Sequence, residues 1–182
     1  MWNKKDKVNE KNEGNHMYNQ LTKQDIKKME EEIEHRKVVV RKEALEAVKE
    51  ARAHGDLSEN FEYHAAKKEK NRNESRIRYL ERMIRTAQIV DDTSAEDEIG
   101  VNNTVTIYVE DDDEEETFKL VTTVRGDTLN GLISIESPIG KAVLGHKVGD
   151  RVEVVVNKNF SYFVEIRKIE NTEDGDEKLV RF

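Results

Sequence analysis

From Leu21 onward, apolar residues fall mostly at three- and four-residue steps: Ile26, Met29, Ile33, Val40, Ala44, Ala47 or Val48, and Ala51. Charged residues fill the gaps. That spacing puts one narrow apolar stripe along an amphipathic helix, with Thr22 placed to cap its start. The β-branched run Val38-Val39-Val40 weakens the pattern locally, but neighbours on both sides keep the helical period. The stripe stops at His54-Gly55, and Gly55 suits the left-handed residue that closes a helix. A second helical run follows through Phe61, Ala65, Ile77, Leu80, Ile84 and Ala87. Its middle, KKEKNRNES, is polar yet compatible with helix. Runs of about thirty residues give helices of roughly 45–50 Å. A connection as short as Gly55–Asn60 makes them antiparallel neighbours, so the expectation is a coiled-coil hairpin with its tip at 55–60.

Asp91-Asp92-Thr93-Ser94 breaks the helical pattern, and the period then shifts toward two. Strands are expected at Thr104–Val109, Phe118–Val124, Leu132–Glu136, Val152–Val156 and Tyr162–Ile169, all rich in Val, Ile, Thr, Tyr or Phe. The acidic run at 110–116 reads as an exposed hairpin loop. Ser137-Pro138 followed by IGKAVLG predicts one short helix: Ser137 as N-cap, Pro138 at the first helical position, Gly145 as the stop. Gly149-Asp150 is a turn signal. The expected organisation is a disordered extension (1–20), a hairpin (21–90), a linker (91–100), a small sheet domain (101–170) and a polar, frayed tail (171–182).

Composition agrees with an elongated molecule. Hydrophobic residues make up 35% of the 182 residues and charged residues 38%, which is too little apolar material for one large core. The formal net charge of −8 disfavours a duplex-DNA reader for the chain as a whole, although a local basic strip could still touch nucleic acid. The absence of cysteine excludes disulfides, thiolate metal sites and cysteine nucleophiles. No apolar stretch approaches the length needed to span a bilayer, and none resembles a signal peptide, so a cytoplasmic monomer with no membrane partner is expected.

The tip reads ARAHGDLSENFEYHAAK from Ala51 to Lys67. Asp56 and Glu59 stand three residues apart at its far end. Hard oxygen donors of this kind suit Mg²⁺, but two carboxylates do not complete its coordination, so they fit half a site finished by a partner. The same spacing also fits a capping arrangement with Asp56 as N-cap and Glu59 three residues on, and Ser58 is another possible cap. Spacing alone leaves these alternatives open.

That stretch resembles the coiled-coil tip of the bacterial GreA/GreB transcript-cleavage factors, most closely the GreA branch. The likeness runs through Gly55-Asp56-Leu57, Glu59-Asn60 and Glu62-Tyr63-His64-Ala65-Ala66, then Arg76-Ile77 and Ala87-Gln88-Ile89-Val90. A second match, Leu132-Ile133-Ser134, Ser137-Pro138-Ile139 and Leu144-Gly145, resembles the C-terminal domain of the same family. The resemblance implies an α+β protein, with the hairpin followed by a small FKBP-like sheet domain carrying one short helix. It further implies a hairpin that enters the secondary channel of RNA polymerase and stimulates cleavage of the nascent RNA 3′ end in backtracked complexes. Asp56 and Glu59 would help hold a Mg²⁺ shared with the polymerase. The protein would then be no enzyme by itself. Gly55, Leu57, Ser58, Asn60 and Tyr63 would support the tip.

Lys67, Lys68, Lys70, Arg72 and Arg76, with Arg78, form a basic stretch that reads either as contact with extruded RNA or as a solvated face with helix ion pairs. His54 and His64 flank the tip without a third metal ligand, so structural or solvent-facing roles are expected. Phe61 and Tyr63 are expected to pack the hairpin end, and Asn60 to support the turn through its side chain. An FKBP-like fold does not carry prolyl isomerase activity with it, and docking to a protein surface is the better reading of that domain.

Overall fold

The computed structural model describes residues 20–53, 60–90, 97–172 and 178–180. Strand β1 (Gln20–Leu21) leads into helix α1 (Lys23–His35), and a π-helical turn (Arg36–Val40) joins α1 to α2 (Arg41–Ala53). Helix α3 (Phe61–Arg85) returns alongside, and β2 (Gln88–Ile89) pairs in parallel with β1. The arm is thereby tied at its base. Thr22 caps α1 as expected, in a reciprocal capping box with Asp25.

The π turn departs from the even helical period expected across Val38–Val40. Opposite it stands Asn73, a buried residue of α3. Its Nδ2 donates to the Arg36 carbonyl at 3.3 Å, and its Oδ1 accepts from Arg36 Nη1 at 3.1 Å. The widened turn presents a carbonyl to a side chain across the seam, and the crowded valines ease the departure from α geometry. A buried amide at one seam position also pins the two arms in one register.

The second unit is a five-stranded mixed sheet in the order β5-β4-β3-β7-β6, with β3 (Thr104–Val109), β4 (Glu114–Val121), β5 (Leu132–Ser134), β6 (Arg151–Asn157) and β7 (Phe160–Glu170). Only β4 and β5 run parallel within it. Alternate residues of β3, Val105, Ile107 and Val109, enter the core, where they meet Leu120, Val143, Val154, Val164 and Ile166. The expected loop at 110–116 is shorter: Glu114–Glu116 belong to β4, opposite Val109, Tyr108 and Ile107. Their side chains are exposed, so their charge does not oppose pairing. The expected strand end at Val124 is replaced by a 3-10 turn, Thr123–Arg125.

Helix α4 (Pro138–Val143) starts at Ser137, whose hydroxyl accepts from Gly140 N at 3.0 Å, with Pro138 at the first helical position. Gly145 follows with φ 78°. Gly140 is required by close approach, because a Cβ there would lie 2.2 Å from the Ser134 carbonyl oxygen. Ile99, expected in the linker, is a core residue.

The two units share a second core. Leu21, Met29, Ile33, Ile77 and Leu80 of the arm base pack with Val124 of the sheet unit, and Leu179 of the tail joins them. Val180 N donates to the Val124 carbonyl at 2.8 Å, so residues 178–180 are docked where fraying was expected. Beside this core Asp25 and Arg125, both with 0% side-chain exposure, form an ion pair at 2.8 Å. Removing one partner would strand a buried charge, at a cost of about 3–5 kcal/mol.

Candidate functional site

Helix α2 is described to Ala53, and the description resumes at Asn60. Helix α3 begins with Asn60 as N-cap, its Oδ1 accepting from Tyr63 N at 3.0 Å. Its Nδ2 reaches across and donates to the Ala51 carbonyl at 2.8 Å. One amide therefore caps the second arm and staples it to the last turn of the first. Asn60 also takes the cap position that spacing alone allowed to Asp56 or Ser58. His54, Gly55, Asp56, Leu57, Ser58 and Glu59 lie outside the described residues.

Beyond the cap, Phe61 is 88% exposed. This corrects the expectation that it packs the hairpin end: at the first helical position its side chain points away from the seam. Tyr63 is half-buried, edge-on to His64 with ring centroids 5.7 Å apart, and Lys67 Nζ stands 6.0 Å from its ring centre. Lys67, Lys68 and Arg72 are exposed and Lys70 is partly covered. Among the described residues, Arg72 has one ion-pair contact, with Glu69 at 3.9 Å.

Arg76 does not belong to this strip. Its side chain is 9% exposed, and its Nε and Nη2 both donate to Glu32 at 3.0 Å. Glu32 also accepts from Arg36 Nε at 2.6 Å. Burial pushes the Glu32 carboxyl up, but the hydrogen bonds from Arg76 and Arg36 outweigh it and hold the group below its usual range. Further out, Arg41 grips Glu74 through two bonds of 2.7 and 2.8 Å, and Lys37 meets Glu81 at 2.6 Å. The arm is thus apolar at its base and laced with charge along its middle. In sequence Arg76 stands in a run of like residues with Lys70, Arg72 and Arg78. The partner that removes it, Glu32, is 44 positions away and carried no local signal.

Among the described residues, no group of three or more His, Asp or Glu could hold a metal ion, and no helix is long and apolar enough to cross a membrane. What the arrangement offers is a charged arm whose two helices are tied together by Asn60, rooted in a sheet unit through a shared core.

Comparison with known proteins agrees in both halves. Residues 19–89 match the family model "Transcription elongation factor, N-terminal", and residues 94–171 match "Transcription elongation factor, GreA/GreB, C-term". The chain is 47% identical over 137 residues to transcription elongation factor GreA of Thermoanaerobacter pseudethanolicus, covering 75% of this chain and 87% of that one. It is 44% identical over 153 residues to GreA of Streptococcus pneumoniae, covering 84% and 95%. Among solved structures, GreA factor homolog 1 of Thermus thermophilus aligns at 28% identity over 83% of this chain and 97% of that one, with a TM-score of 0.38. With two consecutive family segments spanning most of its length and relatives this close, the chain belongs to the GreA/GreB family of transcription elongation factors.

Proposed function

We propose that this elongation factor acts on RNA polymerase arm-first, entering the secondary channel and stimulating hydrolytic cleavage of the transcript 3′ end in backtracked complexes. The observation that carries the proposal is the Asn60 cap. With Asn60 holding Tyr63 N and the Ala51 carbonyl, neither Asp56 nor Glu59 is needed to start α3. In this reading both carboxylates serve a partner, carried by an arm of about 45 Å. Hard, anionic oxygen donors fit Mg²⁺, and two of them fall short of its six ligands, so the polymerase would supply the rest.

Asp56 and Glu59 would hold this shared ion. When bound, it supplies activation of the attacking water and neutralisation of charge building on the phosphate. The chain's own part is delivery and orientation: the seam holds the two helices together, Asn60 ties α3 to the last turn of α2, and the sheet unit would stay outside as the docking body. Lys67, Lys68 and Arg72 lie close behind the tip, exposed, where they would meet phosphates of extruded RNA. The hydrolytic site is the polymerase's, and the factor is not an enzyme alone.

The test uses a purified backtracked elongation complex with end-labelled RNA. The unmutated chain is expected to accelerate release of 3′ fragments. Asp56→Asn and Glu59→Gln should abolish that acceleration while still competing for the channel. Binding without cleavage by the unmutated chain would identify a channel-occupying regulator instead. Absence of binding would leave a coiled-coil adaptor.

A further inference from the structure

Asp25 sits in the first turn of α1 and serves two units at once. Its Oδ2 accepts the Thr22 N–H at 2.9 Å, which completes the capping box, and the Thr122 hydroxyl at 2.7 Å. Its Oδ1 stands 2.8 Å from Arg125 Nε. Thr122 precedes and Arg125 ends the 3-10 turn that follows β4. On its other side this turn is gripped by the tail, where Val180 N donates to the Val124 carbonyl. The carboxylate that starts the helix is therefore also its attachment to the sheet unit, so the helix's initial direction and its anchorage are set together.

An ion pair this deep is a poor device for stability alone, because well-packed apolar residues of similar volume often serve as well or better. What it adds is direction: the Asp25 carboxylate accepts from Thr22 N and the Thr122 hydroxyl, and the Arg125 Nε paired with it donates to Thr122 Oγ1 at 3.4 Å, so the cluster fixes an angle that apolar surfaces would let slide. Direction matters here because the arm is long. From Asp25 to Ala53 the arm rises about 42 Å, so a tilt of about 5° at the pivot displaces its far end by about 4 Å. A misplacement of about 1 Å at a reacting centre can cost about a hundredfold in rate.

We infer that Asp25 and Arg125 are positioning residues for transcript cleavage: they set the pitch of the arm against the sheet unit, and with it where the tip carboxylates arrive. This rests on the function proposed above. The informative variant is the neutral pair, Asp25→Asn with Arg125→Gln, which leaves no charge stranded. Arg125→Lys, which keeps the charge and loses the Nε geometry, is read in the same way if the pair fails to fold. The chain has no cysteine, so Lys49→Cys on the arm and Glu153→Cys on β6 accept spin labels in the full-length protein.

Two readouts are taken on the folded variant. The interspin distance distribution should broaden at least about twofold as the arm is released. Cleavage at saturating factor should fall at least about tenfold while the concentration giving half-maximal effect changes little. A merely structural pair would leave the saturated rate unmoved once the variant is folded. A distribution as narrow as that of the parent overturns the inference, and so does a broadened distribution with full cleavage. If the parent itself neither binds nor stimulates, the proposed function falls, and the pin stands or falls on the distance widths, which need no polymerase.

Discussion

Replacing Asn60 tests how the tip is held. Asn60→Ala removes the acceptor for Tyr63 N and the donor to the Ala51 carbonyl together. Losing an N-cap side chain costs typically about 1 kcal/mol. Losing a partly buried hydrogen bond between the arms costs about 1 kcal/mol more. The combined loss of about 2 kcal/mol corresponds to about a thirtyfold change in a local opening equilibrium. It should stay local, because the shared core lies at the other end of the arm and α3 can fray without disturbing it. Amide hydrogen exchange is the suitable assay. Tyr63 and its helical neighbours should exchange about thirty times faster, while the global melting temperature moves by less than about 2 °C. Asn60→Asp separates the two bonds: it keeps the acceptor for Tyr63 N, loses the donor to Ala51, and should recover about half of the lost protection. Exchange at Tyr63 within about threefold of the parent in Asn60→Ala would refute the reasoning, since the cap would then carry no measurable part of the closure.

Glu32→Gln should destabilise the chain by about 2–3 kcal/mol at neutral pH, because the largely covered Arg76 keeps its charge without a carboxylate. The folded Glu32 carboxyl titrates below its usual value near 4.5, so its contribution is fully present above that value and fades as pH falls below it. Denaturation midpoints of parent and variant should therefore converge in acid. Gly140→Ala should lower the melting temperature by roughly 5 °C or more, since the new methyl overlaps the Ser134 carbonyl and α4 must shift off β5. Ending the chain after Thr172 removes Leu179 and the Val180 bond, and should cost about 1–2 kcal/mol in chemical denaturation without altering the secondary structure seen by circular dichroism.

Much of this molecule was legible because its local signals agree with its global arrangement. Thr22, Ser137-Pro138 and Gly145 each carry chemistry that suits one place in a helix, and each is found there. Strand β3 alternates strictly between core and solvent, so its bounds could be read to the residue. Most of the misses depend on a partner outside the local run. The π turn needs Asn73 across the seam. Arg76 looks like part of a basic strip until Glu32 meets it. Glu114–Glu116 look like a loop until β3 supplies a pairing edge. The side chain of Phe61 alone suggests the interior, and its position at the first turn of α3 turns it outward. At the tip, Asn60 was readable as a turn residue, but its reach to Ala51 was not, because the partner is a backbone carbonyl and any residue provides one.

The core at the base of the arm bears on how chimeras of such proteins should be cut. A boundary drawn through the linker, between the two segments that family comparison separates, looks natural on paper. It would divide Val124 and Leu179 from Met29 and Leu80, and Asp25 from Arg125. An arm transplanted onto a foreign sheet unit would arrive with an orphaned carboxylate beneath it. A graft that keeps this chain's own behaviour has to carry the turn at 122–125 and residues 178–180 along with the helices.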